Sequence, residues 1–218
     1  MCGQRDSGVR LGRRSGEDAE RTRRAISEAA LRLFARRGFE PVSVRDVAEE
    51  AGTTHSLIRH HFGSKEQLWR AVVDAADAEY VSAMRPVLAE AAEEEVPEAA
   101  IAAIVRGVVR TSAEHPEIVR LLVHEGASGG ERLGYILGCL VPLREAVTEL
   151  FARLRRRGLL GQFDGDALFL LLLTVGATPF ALSALSEGVL GEDVLTEEYA
   201  DRHADQILQT LFGNASNP

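Results

Sequence analysis

Between Gly38 and Gly63 the chain has room for only two short helices, and that constraint limits the fold more than any other feature of the sequence. Apolar residues recur at helical spacing on both sides of Gly52: Val44, Val47, Ala48 and Ala51 before it, Leu57, Ile58 and Phe62 after it. Helices of about two turns do not hold alone in water, so both must pack on longer neighbours. Upstream, Ile26, Ala29, Ala30, Leu33 and Phe34 make one stripe of a helix from Asp18 to Arg37, which Gly38 ends. Downstream, Ser64 caps a long helix with Gln67 at the reciprocal position. Its inward residues are Leu68, Trp69, Val72, Val73, Ala76 and Tyr80, and Pro86 is expected to bend or end it.

Ser43 opens the second helix, with Asp46 three residues on to complete a capping box. The third runs from Thr54 to Phe62. Two short helices joined by a tight glycine turn, inside a three-helix unit, form a helix-turn-helix. The third helix divides into two faces. Leu57, Ile58, His61 and Phe62 lie on one side, suited to packing. His55, Ser56, Arg59 and His60 lie on the other, polar and without a carboxylate, as a surface entering the DNA major groove requires. Thr53 and Thr54 stand at the helix start, where hydroxyls and backbone N–H groups suit phosphates. Ser43, Arg45 and Lys65 complete the expected DNA-contacting set, Lys65 as a phosphate neighbour. His60 and His61 are adjacent and are read as facing opposite ways, so no metal site is expected.

The remaining periodicity predicts helices at about 97–114, 116–126, 131–157, 164–187 and 197–212, with Pro97 and Pro116 in first turns. No strand-like alternation of any length occurs, so the fold class is all-α. The domain division reads as a disordered basic arm over 1–16, a DNA-binding unit over 17–63 and a helical domain over 64–218. With 218 residues and 45% hydrophobic content, the chain buries a core without disulfides. Cys2 and Cys139 are its two cysteines, and the N-terminus MCGQRDSGVRLGRRSGED has no apolar stretch, so a cytoplasmic setting is expected. The apolar run Ala167–Leu185 contains Thr174, Thr178, Pro179 and Ser183, and reads as a buried helix rather than a membrane span.

The net charge of -8 conceals an asymmetry. Residues 1–70 carry 14 Lys+Arg against 10 Asp+Glu, and the rest carries 11 against 23. One half is drawn toward phosphates and the other repelled, which orients the molecule on a polyanion. Arg153, Arg155, Arg156 and Arg157 read as a solvated helix C-terminus rather than a second basic site.

The stretch SVRDVAEEAGTTHSLIRHHFGSKEQLWRAV, residues 43–72, resembles the N-terminal signature of the TetR family of regulators. The matching features are Ser43, Asp46-Val47-Ala48, Ala51-Gly52, His61-Phe62 and Ser64-Lys65-Glu66, with Phe34 and Gly38-Phe39 upstream. The chain departs at Arg59, where the family usually has tyrosine; an arginine there can reach a phosphate or read guanine. The resemblance implies a divergent C-terminal helical domain around a ligand pocket. It also implies a homodimer in which the helices at 164–187 and 197–212 pair with their symmetry mates. The expected activity is that of a DNA-binding transcription regulator, a repressor released from a palindromic operator by a small, largely hydrophobic effector. Alternatives are a constitutive DNA-binding regulator and an enzyme housed in the C-terminal helices. No phosphate loop, nucleophile–base set or metal spacing supports an enzyme, and no cofactor is expected. His115, His124 and Glu125 are mildly suggestive but fall at element ends where solvent is expected. Tyr135, Cys139, Thr174, Thr178 and Phe180 are candidates for the pocket lining, each also readable as core or dimer interface. Pro142 and Pro179 suggest kinks that could open a cavity. Cys139 as a redox sensor would need a lowered pKa, and its apolar neighbours push the other way.

Overall fold

Each stretch with a helical apolar period is helical in the computed structural model, which describes residues 8–156 and 164–212. In chain order the elements are α1 (Gly8–Arg37), α2 (Val44–Glu50), α3 (His55–Phe62), α4 (Lys65–Glu93), α5 (Pro97–Glu114), α6 (Pro116–Ser128) and α7 (Gly130–Arg156). Then follow α8 (Gly165–Leu171), a π-helical turn (Leu172–Ala177), α9 (Thr178–Ala181), α10 (Ser183–Leu190) and α11 (Glu197–Phe212). No strand occurs among the described residues. The first helix starts earlier than its apolar stripe. Residues 8–16, expected within a disordered arm, are helical, with no proline to interrupt Gly8–Arg37. Residues 1–7, and Arg157 of the basic cluster, lie outside the described residues.

The chain divides into two compact units, Met1–Ala75 and Ala76–Pro218, and the division falls inside α4. The reason is visible in the first unit. Leu68, Trp69, Val72 and Val73 of α4 are buried with Ile26, Leu33 and Phe34 of α1, Val47 of α2 and Ile58 of α3. Phe39 joins them, stacked on Phe34 at 5.6 Å and edge-to-face with Trp69 at 6.3 Å. A helix whose opening turns carry the large side chains of that core cannot be divided from it.

In the second unit α5 and α11 run side by side in opposite directions. Arg110 pairs with Asp201 at 2.9 Å and Arg106 with Asp205 at 2.7 Å, one turn apart on each helix. Beneath these pairs lie Ile104, Val105, Val108 and Val109 of α5 and Tyr199, Ala200, Ala204 and Ile207 of α11. Tyr80 and Ser112 are buried and share a hydrogen bond of 3.2 Å between hydroxyls. Burial pushes the Tyr80 phenol above its ordinary pKa. α4 does not end at Pro86 but continues as helix to Glu93. At its far end the Ala92 carbonyl accepts from Arg153 at 2.9 Å, so Arg153 is tied down while Arg155 and Arg156 are exposed.

Two expectations about this unit change. Glu125 is buried rather than solvated, because Gly129 and Gly130 both take positive φ and fold α7 back until Arg132 Nε lies 3.1 Å from the carboxylate. The helix expected at 164–187 is also broken. Pro179 has no N–H to give to the Val175 carbonyl four residues back, and His203 Nε2 of α11 sits 2.9 Å from that oxygen. Register shifts to π spacing over Leu172–Ala177, and the chain then turns by 81° at Leu182 into α10. Arg120 of α6 braces the turn, donating to the Ala181 carbonyl at 2.8 Å, while Ser186 Oγ donates to Pro179 O at 3.0 Å.

No single helix among the described residues is long and apolar enough to cross a membrane; Gly165–Ala181 and Ser183–Leu190 satisfy length and composition only together, across that 81° bend. The run is buried on one face only. Leu168, Leu172, Ala177 and Phe180 point into the core, while Leu170 is 60% exposed, Leu185 63% and Val189 75%. None of the α10 residues is buried.

Candidate nucleic-acid interface

The helix-turn-helix is assembled from its caps inward. Ser43 takes an extended conformation, its hydroxyl accepts from Asp46 N–H at 3.2 Å, and the Asp46 carboxylate accepts from Ser43 N–H at 2.7 Å. The Ser43 hydroxyl also donates to that carboxylate at 2.6 Å, and these bonds hold Asp46 below the usual carboxylate pKa. Gly52 then takes φ +61, a turn conformation that L side chains adopt rarely, and Thr53 N–H returns to the Ala48 carbonyl. Thr54 caps α3, its hydroxyl accepting from Leu57 N–H at 3.3 Å.

Ile58 and Phe62 anchor α3 by burial, at about 1.5–3 kcal/mol each, with Leu57 and His61 half-buried beside them. The opposite face presents His55, Ser56, Arg59 and His60, all exposed. No carboxylate stands on α3, and the Leu57 and Ile58 amides of its first turn return to the Thr54 carbonyl. The arrangement can donate hydrogen bonds and add positive charge along one edge, and it repels no phosphate. His60 and His61 sit edge-to-face with ring centroids 5.4 Å apart. Among the described residues no three His, Cys, Asp or Glu side chains group as metal ligands.

The other expected contacts are placed unevenly. Arg45 and Thr54 are exposed and Thr53 is half-buried. Ser43 is exposed, and its hydroxyl is engaged with Asp46 in the cap of α2. Lys65 is half-buried. Its Nζ donates to the Glu40 carbonyl at 3.1 Å and lies 4.0 Å from the centre of the Phe39 ring, fastening the α1–α2 connection to α4. Sequence reasoning missed this because Glu40 and Phe39 stand 25 and 26 residues upstream. It also passed over Arg23, which meets the end of α3 from α1.

Of the pocket candidates, Tyr135 and Cys139 are half-buried one turn apart on α7, and Thr178 is half-buried with its hydroxyl donating to Leu173 O. Thr174 is exposed, its hydroxyl turned back to Leu170 O at 2.8 Å. Phe180 belongs to the core, edge-to-face with Tyr199 at 6.0 Å and His203 at 5.9 Å.

Residues 26–72 match the family described as bacterial regulatory proteins, tetR family, and residues 97–211 match the tetracyclin repressor-like C-terminal domain. The HTH-type transcriptional regulator TtgR of Pseudomonas putida is 43% identical over 63 residues, which cover 29% of this chain and 30% of that protein. The match therefore spans less than a third of TtgR. The HTH-type transcriptional repressor NicS of Pseudomonas putida is 30% identical over 152 residues, covering 65% of this chain and 68% of NicS. Among solved structures, AibR in complex with isovaleryl coenzyme A and operator DNA superposes with a TM-score of 0.70 at 22% identity, over 88% of this chain and 98% of that one. At that identity the likeness speaks for the fold. The two family matches and the NicS alignment together place this chain in the TetR family of bacterial regulatory proteins.

Proposed function

We propose that this chain is a dimeric transcriptional regulator that reads a palindromic operator with α3 and releases it when a small, largely apolar molecule binds the second unit. The observation that carries the reading is the two-sided α3. Four exposed polar side chains without a carboxylate stand over a buried Ile58 and Phe62, on a helix capped at its start and stopped by Gly63. Such a helix places its first turn deepest in the major groove, so His55 and Ser56 read base edges and Arg45, Thr53 and Thr54 face phosphates. Dimerisation is supported by the exposed Leu170, Val175, Leu182, Leu185, Val189 and Leu190 between Gly165 and Leu190. The effector class follows from the apolar composition of the second unit, with Tyr135, Cys139 and Thr178 as lining candidates. AibR, crystallised with isovaleryl coenzyme A and operator DNA, supports an acyl-type molecule as the first to try.

Selection of bound duplexes from a random pool tests the reading. The expected product is an inverted repeat whose half-sites lie about 34–36 Å apart, one helical turn. His55→Ala is then expected to weaken selected DNA by about 1–3 kcal/mol and scrambled DNA hardly at all. Failure to enrich any duplex would overturn the assignment. An operator that no apolar compound releases would favour constitutive binding.

A further inference from the structure

A recognition helix of eight residues is about 12 Å long. Pivoting it by about 10° at the Thr54 end moves its far end by about 2 Å, enough to break a hydrogen bond whose range is about 0.5 Å wide. What holds the far end is therefore part of the reading apparatus. The last carbonyls of α3 are satisfied in three ways. Gly63 N–H takes Arg59 O at 2.9 Å, Ser64 N–H takes Phe62 O at 3.0 Å, and Arg23 Nη1 of α1 donates to His61 O at 3.1 Å. The same guanidinium lies over the Phe62 ring, with Cζ 4.7 Å from its centre. Arg23 thus grips two consecutive residues of the last turn, 38 positions away in sequence, with its charge at the negative end of the helix. Further along α1, Arg32 and Arg36 hold Glu50 of α2 at 3.2 and 3.5 Å. α1 carries a separate fastening for each half of the helix-turn-helix.

We propose that Arg23 is a positioning residue for DNA reading: it sets the tilt of α3, and through it the placement of Arg59 and His60, without itself touching DNA. The proposal rests on the reading of α3 as the recognition helix. The site suits arginine, since a planar guanidinium stacks face-on over the Phe62 ring while donating in its own plane, and a lysine ammonium offers a point charge in place of that flat face.

The test uses the full-length protein, the duplex it selects from a random pool and a scrambled duplex, over a salt series, with Arg23→Ala and Arg23→Lys variants. Both variants are expected to lose about tenfold in affinity for the selected duplex, in the lower part of what one lost base contact costs. The scrambled duplex is expected to bind as before, the salt slope to stay unchanged, and circular dichroism to report a folded protein. Adding Arg23→Ala to Arg59→Ala is expected to cost less than Arg23→Ala alone, because the contact being positioned is already gone. Equal losses on both duplexes with a salt slope lower by about one unit would make Arg23 a phosphate contact and overturn the proposal. A loss that vanishes well below the melting midpoint would reduce Arg23 to a stability role and overturn it as well, as would wild-type affinity in Arg23→Ala. A wild-type protein that selects no duplex would instead remove the functional reading beneath it.

Discussion

Lys65→Met separates what a lysine at this position does for folding from what it does for DNA. A free phosphate contact contributes nothing to stability when DNA is absent, whereas the Lys65 ammonium holds the Glu40 carbonyl at 3.1 Å and lies 4.0 Å from the Phe39 ring centre. A hydrogen bond from a charged donor is worth about 1.5–3 kcal/mol, and half-burial puts this one in the lower part of that range. The ammonium–ring contact adds about 0.5–1 kcal/mol. Methionine keeps most of the packed stem and removes both, so the expected loss is about 2 kcal/mol, or about 4–8 °C in melting midpoint for a chain of this size. Urea and thermal unfolding without DNA read the first quantity, and the salt dependence of duplex binding reads the second. An unchanged midpoint together with a salt slope reduced by about one unit would refute the reasoning and return Lys65 to the phosphate role its position suggests.

Three further outcomes follow from the packing. Asp46 is held below its ordinary pKa first by the Ser43 hydroxyl and then by the Ser43 N–H; its share of stability is therefore full above the ordinary carboxylate value and lost as pH falls through the depressed one. The stability gap between wild type and Ser43→Ala should narrow from pH 5 to pH 2.5, and equal gaps at both would contradict the capping account. Gly107→Ala sets a helix-propensity gain of about 1 kcal/mol against a Cβ placed 2.5 Å from Val87 Cγ1. The single variant should be destabilised and Gly107→Ala/Val87→Ala should recover, whereas strict additivity would show that α5 yields to the methyl. Leu185→Glu/Val189→Glu replaces the most exposed apolar side chains of α10 and should produce a folded monomer at micromolar concentration, read by sedimentation equilibrium; an intact dimer would place the interface elsewhere.

What the sequence determined by itself is what nearest neighbours and helical period control. The Ser43–Asp46 and Ser64–Gln67 caps, the Thr54 start and Gly63 stop of α3, and the bounds of α5 and α11 all depend on groups within a few residues. The two faces of α3 were legible for the same reason, since a 3.6-residue period assigns side chains to faces before any partner is known. Tertiary structure alone decided which polar side chains were already spoken for. Lys65 turns to Glu40, Glu125 to Arg132 and Arg23 to His61, because the chain's path brings them within hydrogen-bond distance, and no local rule encodes that path. It also decided the fate of the long apolar run near the C-terminus. Pro179 announced a missing N–H, but the break became a π turn followed by an 81° bend because His203 and Arg120 came from other helices to hold the carbonyls around it. Caps and periods are short-range and readable in one dimension, whereas a long charged side chain is satisfied by whatever the fold sets within its reach, and that is fixed only in three.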